Sequence, residues 1–424
     1  MDKKYICFQN KQNSIMTRIL FIIFIISNTL VCCQNNKDDL GLLIIGVNGD
    51  YGFIDASGKL VIEPIYDDFE GYSEGVIGVG YNGKDGFINE QGEQITPFKY
   101  DRVRYFNDGL AEVRLNKKYG FVNTEGVEVI PPQYAFTFHF SEGRAAFSTS
   151  INGKYGYLNK KGDISIENKF DEAGYFNEGF AAVKINELYG FIDKEGNYIS
   201  TPQYDRVNDF FQGYAGVSKA GKWGFIDSTG KEVIPIKYNE VGVFYDGYAV
   251  VQGDNYNYGV IDTSDKIIID FDYDKLEYFQ EGLAVVEYDK TFGYVNLKAE
   301  LEIYPKYDYA NSFSEGLAAV AIKKGDKLKW GYINKEGKQI IPFKFDTPGP
   351  FIEGLAVVGV KTDEYSYEYG YINTKGEFVI KPRFFNASPF YNGIAQVHDK
   401  NAYPSKNYIN KKGEILYTAK KKVK

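Results

Sequence analysis

Carboxylates are the residues of this chain whose types and spacing could do chemistry. Eight recur before glycine in runs of the Phe-x-acid-Gly kind: Glu74, Asp108, Glu142, Glu178, Asp246, Glu281, Glu315 and Glu353. Glycoside hydrolysis needs two carboxylates at a defined separation in one cleft. A ladder of single acids, replaced by the amides Gln212 and Asn392, fits a loop hydrogen bond better. The aspartates after tyrosine, Asp67, Asp101, Asp205 and Asp308, read the same way. The two histidines, His139 and His398, are far apart, and His139 stands beside the aromatic Phe140. There is no Ser-His-Asp order, spaced His pair or Cys cluster, so zinc and nucleophilic catalysis lack their parts. The glycines sit in turns, and none builds a phosphate loop.

One acidic stretch breaks the pattern. Asp270, Asp272 and Asp274 alternate with aromatics, and on a strand they would share one face about 7 Å apart. The spacing echoes a calcium loop with Glu281 in the twelfth place, although Lys275 stands where that loop needs glycine. Calcium is therefore the one candidate cofactor, against a plain solvated acidic face.

These acids are placed by a unit of about 34 residues. Its mark is an aromatic-Gly pair: Tyr51-Gly52, Tyr119-Gly120, Tyr155-Gly156, Tyr189-Gly190, Trp223-Gly224, Tyr258-Gly259, Phe292-Gly293, Trp330-Gly331 and Tyr369-Gly370. Asp85-Gly86 and Lys406-Asn407 fill the same register in degenerate form, which makes eleven units. A fixed period marks a repeat architecture. Residues present in every unit are then structural, and a functional residue should be unique.

Each unit offers three strand signals, as in Leu110-Ala-Glu-Val113, Phe191-Ile192 and Val233-Ile234. Aromatic and β-branched residues suit a pleated, half-buried surface. Asn82-Gly83 and Asn152-Gly153 favour type I′ hairpin turns. Asp55 to Gly58 and Asp227 to Gly230 suit type I turns. Proline then stops the ladder, as at Pro235 ahead of Tyr238.

The run from Lys222 through Trp223-Gly224 to Tyr238, followed by Phe244 to Gly247 and Tyr248 to Val251, resembles the WG repeat of bacterial proteins. The resemblance spans residues 42–418, with Tyr or Phe mostly in place of Trp. It implies a repeat scaffold and does not imply an enzymatic activity. The expected fold is all-β, a tandem array of about eleven three-stranded antiparallel meanders, each followed by a connecting loop. Such small sheets cannot bury a face alone and must stack. An open superhelical array is expected, with a β-propeller-like ring as the alternative, because ordinary rings hold about 4–8 blades. Phe106, Phe176, Phe279, Phe313 and Phe351 are the expected pegs between units.

The leader, residues 1–33, differs in kind. Met16, the expected true start, opens a short basic segment before the apolar run Ile19 to Ile26, as in a secretion signal. Leu30-Val31-Cys32-Cys33 resembles a bacterial lipobox, which implies lipidation at Cys33 and anchoring in the outer membrane. Residues 34–41 form a polar acidic spacer that resembles surface-export signals, and residues 419–424 a short basic tail. A net charge of -8 without long basic runs gives nucleic acid little support as a partner. The expected function is a non-catalytic envelope scaffold that binds a protein or glycan. The alternatives are a carbohydrate-active enzyme and a purely structural spacer. Longer hairpins in the late units make Tyr365 and Tyr367 the expected ligand contacts.

Overall fold

The computed structural model describes residues 41–47, 49–325, 327–363, 366–399 and 406–417, and the chain from Leu42 onward forms one compact unit. All ladders among the described residues belong to ten antiparallel sheets. Sheets three to nine each have four strands in sequential order. The sixth is representative, with strands Arg206–Val207, Tyr214–Lys219, Lys222–Asp227 and Glu232–Tyr238. The expected three-stranded meander is therefore corrected to four strands. The segment taken as a connecting loop supplies the first.

The aromatic-Gly pair has a steric cause. In the sixth sheet Trp223 faces Tyr238 and Phe225 faces Ile234, so the fourth strand carries extra residues opposite Gly224. This bulge brings its backbone onto the glycine. A Cβ on Gly224 would lie 2.4 Å from the Ile234 carbonyl oxygen. The same clash would arise at Gly120 against Ile130 and at Gly293 against Ile303, at 2.3 and 2.4 Å. The bulge needs glycine for close backbone approach.

Side chains alternate between two buried faces. Ala215, Val217 and Ile226 pack with Phe191, Tyr204 and Phe210 toward the preceding unit. Phe225, Ile234 and Tyr238 pack with Phe244, Ala249, Val251 and Ile261 toward the next. Most interfaces centre on an aromatic pair, while Val260 takes the third-strand place against Phe279 between units seven and eight. Phe87–Phe106, Phe121–Phe140, Tyr157–Phe176, Phe225–Phe244, Tyr294–Phe313 and Tyr332–Phe351 have centroids 4.6–5.0 Å apart. Where the third strand carries Tyr, its hydroxyl donates to the next unit's first strand. Tyr157, Tyr294, Tyr332 and Tyr371 reach the carbonyls of Gly174, Asn311, Gly349 and Ser388 at 2.8–2.9 Å. Tyr332→Phe keeps the packing, as Phe225 does naturally. It is expected to lose about 1 kcal/mol of stability, read from the denaturation midpoint.

The array closes into a ring, the propeller-like alternative, rather than an open superhelix. Ile45 and Ile54 of the first sheet share a core with Tyr408, Leu416 and Tyr417 near the other end. Gly58 lies so close to Leu416 that a Cβ would stand 1.9 Å from its carbonyl oxygen. Eleven units fit ten sheets because the tenth has six strands. Its strand Phe378–Ala387 pairs with unit ten through Ile380 and with unit eleven through Ala387.

Candidate binding site on the inner wall

First strands form the inner edge of the ring. Neighbouring first strands bond directly: Asn177 Nδ2 donates to Phe210 O and Ser141 Oγ to Phe176 O. Fourth strands meet through side chains, as where the Tyr100 hydroxyl donates to Glu128 Oε1 at 2.8 Å and Tyr238 lies 6.0 Å from Phe271 between centroids. The type I′ turn after each first strand carries the acid ladder. Glu74, Glu142, Glu178, Glu315 and Glu353 accept the amide N–H of Gly109, Gly179, Gly213, Gly354 and Gly393 in the next unit. Those acids adopt φ near 50° ahead of a left-handed glycine. Asp67, Asp205 and Asp308 cap the following hairpin turn through the N–H of Gly83, Ala220 and Lys323.

Within this repeated frame one position does not repeat. The first-strand ladder shifts register between Val103 and Phe106, leaving Arg104 and Tyr105 unpaired in a bulge. Equivalent positions hold Phe138 and His139, Gly174 and Tyr175, Asn208 and Asp209, and Glu277 and Tyr278. Their side chains converge in units three to five. His139 stacks on Tyr175 with centroids 4.0 Å apart and planes 19° from parallel. Tyr105 lies 6.0 Å from the other side of this stack, centroid to centroid with His139. Beside it Arg104 Nε is 3.1 Å from Glu112 Oε1, and the Thr137 hydroxyl donates to Glu112 Oε2 at 2.6 Å.

Glu112 is only 2 % exposed, whereas Arg104 is 45 % exposed and Tyr105 47 %. Burial pushes the Glu112 carboxyl up, against the opposing pull of Thr137 and Arg104. Burial and the neighbouring Arg104 charge hold His139 below the ordinary histidine range, so it is neutral at pH 7. Further round, Asp209 and Glu277 touch water, yet loss of bulk solvent around them raises both carboxyls. The wall thus offers fixed rings, a held guanidinium and hydroxyl donors. That set suits binding.

The sequence-predicted residues lie elsewhere. The nine aromatic-Gly aromatics are half-buried on third strands. Tyr367 pairs with Lys361 in a lengthened hairpin and is half-buried. Tyr365 and Cys33 lie outside the described residues. Asp270 and Asp272 are exposed on strand Ile267–Tyr273. Asp274 accepts the Asp289 N–H at 3.0 Å and so fills the repeat's turn-capping role. Among the described residues no three His, Cys, Asp or Glu side chains are grouped to hold a metal. In unit seven the Asp-x-x-Gly turn reads Asp262-Thr263-Ser264-Asp265, with Asp265 in the glycine's place. Asp265 keeps a left-handed φ of 66° and takes the Tyr238 hydroxyl at 2.6 Å, joining two units.

Asp85 replaces the aromatic of the repeat mark and is half-buried near Glu70 and Asp68. Burial, then Glu70, pushes its carboxyl up to about 6. A folded value above the unfolded 3.8 means that stability is fully present below about pH 4 and is lost as pH rises through about 6. Asp85→Asn keeps an acceptor for the Val103 N–H, bonded at 3.2 Å. It is expected to gain about 1–2 kcal/mol at pH 8 and nothing at pH 3.5, by denaturation at both pH values.

A eukaryotic initiation factor structure is 10% identical, covering 79% of this chain and 94% of its own, with TM-score 0.42. The computationally designed Ika8 protein is 13% identical, covering 64% and 94%, with TM-score 0.31. Hsv2p of Kluyveromyces lactis is 12% identical, covering 63% and 96%, with TM-score 0.28. At these TM-scores the likenesses carry no argument about this chain. No curated protein matches it in sequence. The family profile described as a WG containing repeat matches ten segments: 51–84, 86–119, 119–155, 155–189, 189–223, 223–256, 258–291, 292–327, 330–361 and 369–401. These segments and the glycine-over-bulge geometry within them make the chain a member of the WG repeat family.

Proposed function

We propose that this protein is a non-catalytic binding scaffold of the bacterial envelope. It is held in the outer membrane by a lipid on Cys33, and its ring engages a protein or glycan. The observation that carries the binding role is the concentration of non-repeating residues on the inner wall. Tyr105, His139, Tyr175 and Arg104 stand there on a frame whose other positions recur. A rigid frame with variable bulges holds contact residues in fixed geometry, which lowers the ordering cost of binding. The location rests on the Leu30-Val31-Cys32-Cys33 run and the polar spacer after it. Stable anchoring needs more than one acyl chain, as a lipoprotein cysteine would supply.

Protease shaving of intact cells, wild type against Cys33→Ser, tests the address. The expected result is cleavage of the wild type at the surface and release of the variant from the membrane. Wild-type protein protected until the outer membrane is opened would place the scaffold in the periplasm instead. Retention of the Cys33→Ser variant would remove the lipid anchor from the account.

A further inference from the structure

The first strand of unit three, Arg102–Asn107, carries the bulge on which the aromatic stack stands. It is gripped from both neighbouring units. Val103 is its last paired residue before Arg104 and Tyr105. Asp85 Oδ2, on the third strand of unit two, accepts the Val103 N–H at 3.2 Å. From unit four, His139 lies 6.0 Å from Tyr105 between centroids and stacks in turn on Tyr175. A change in the hold on Val103 is therefore passed to Tyr105 and His139 through unpaired backbone.

The surroundings of Asp85 make that hold depend on charge. Asp68, Gly80 and Asp85 stand directly opposite one another on three strands of unit two. Unit five fills the same places with Glu172, Lys184 and Tyr189, and Lys184 Nζ bonds Glu172 at 2.9 Å. Unit two has glycine where that lysine stands. A Cβ on Gly80 would lie 3.1 Å from Asp68 Cβ and 3.4 Å from Asp85 Oδ1, so the two acids crowd one place with no side chain between them. Glu70 adds a third carboxylate from the first strand. Unit three answers with Arg102, whose Nε is 4.0 Å from Glu70 Oε2 and which stands directly opposite another cation, Arg114. Lys84, beside Asp85 on its own strand, is taken by Asp101 at 2.7 Å. His139 in turn faces the charge of Arg104, which Glu112 holds.

We propose that Asp85 is a proton switch that sets the position of the bulge, and with it the Tyr105–His139–Tyr175 stack offered to a partner. Ionised, its carboxylate makes a charge-assisted bond to the Val103 N–H, against repulsion from Asp68 and Glu70. Protonated, it escapes the repulsion and holds Val103 less tightly. The change falls at about pH 6. The wall then shows a partner different surfaces in neutral and in mildly acid surroundings. This regulation rests on the binding-scaffold role above and acts on the same residues.

Histidine-ring NMR on the full chain in detergent tests the switch. The chain has two histidines, and His398→Gln assigns their signals. At about pH 8 His139 is neutral in wild type and in Asp85→Asn, so a difference between them reports the ring's place in the stack and not its charge. Asp85→Asn is expected to displace the His139 signal there and to leave His398 in place. On titration toward acid, wild type should show a step at about pH 6 that Asp85→Asn lacks, besides the protonation of His139 itself. Glu70→Gln removes one of the repelling carboxylates and should move that step to lower pH. An unchanged His139 signal in Asp85→Asn overturns the switch, as does a wild-type step that Glu70→Gln leaves where it was. No partner enters these measurements, so their failure leaves the scaffold role standing. Failure to cross-link any envelope partner removes that role without touching the switch.

Discussion

Alanine at Gly224 is expected to remove at least about 3 kcal/mol of stability, or to prevent folding of the sixth unit altogether. The added Cβ would stand 2.4 Å from Ile234 O and 2.8 Å from Ile236 N. Neither atom can yield without undoing the bulge that sets the Trp223–Tyr238 and Phe225–Ile234 register. Gly247→Ala is the matched control. Gly247, unlike Gly224, has a left-handed φ of 84°, and nothing lies within 4 Å of its Cβ position. Its cost is the intrinsic one of a left-handed alanine, about 1–2 kcal/mol. Denaturant titration of both variants separates close approach from turn geometry. Equal losses would mean that the bulge moves aside and that the repeat mark has another origin.

Phe351→Ala is expected to cost about 3–5 kcal/mol, the usual range for truncating a buried phenylalanine. Phe351 is fully buried, 5.0 Å from Tyr332 between centroids, in a core that spans units nine and ten. The interface also carries the Tyr332 hydroxyl bond to Gly349 O and the Glu315 bond to the Gly354 N–H. Each depends on the first strand that Phe351 pins. Hydrogen exchange should therefore rise first in Thr347–Ile352 and in the third strand of unit nine, Lys327–Ile333. Loss below about 1 kcal/mol, with no local change in exchange, would show that the aromatic pairs do not join the units.

Much of the frame is legible in the sequence because each recurring residue answers to one constraint. The aromatic-Gly pair, the Asp-x-x-Gly turn and the buried Phe all recur at fixed spacing, and all sit where the geometry needs them. The first strand was hidden for a physical reason. In the sixth sheet its ladder is reduced to Arg206–Val207 before the bulge, too short for alternation to register. The signal that marks it is the acid-Gly pair ahead of the Leu-Ala-x-Val strand. Asp108-Gly109 has two left-handed residues, with φ of 57° and 82°, as a tight hairpin turn requires. With that strand unseen, Arg104, Tyr105 and Tyr175 fell in a supposed loop, and His139 counted only as a neighbour of Phe140. Closure was hidden too, since contacts of Ile45 and Ile54 with Tyr408 and Leu416 leave no trace in a local pattern. Asp274 shows the opposite error. Its alternation with Asp270 and Asp272 suggested a metal, while its register fixed it as a turn cap.

Ring closure is the claim on which the inner wall depends, and hydrogen exchange on a chain ending at Asn410 tests it most directly. Removing the residues after Asn410 takes Leu416 and Tyr417 out of the closing core. In a closed ring, exchange should rise in Leu42–Val47 and Asp50–Asp55, at the far end of the sequence. The sixth sheet, across the ring, should keep its protection. Unchanged exchange in the first sheet, with loss confined to Ile394–Asp399 and Lys406–Asn410, would contradict closure and return the chain to an open array.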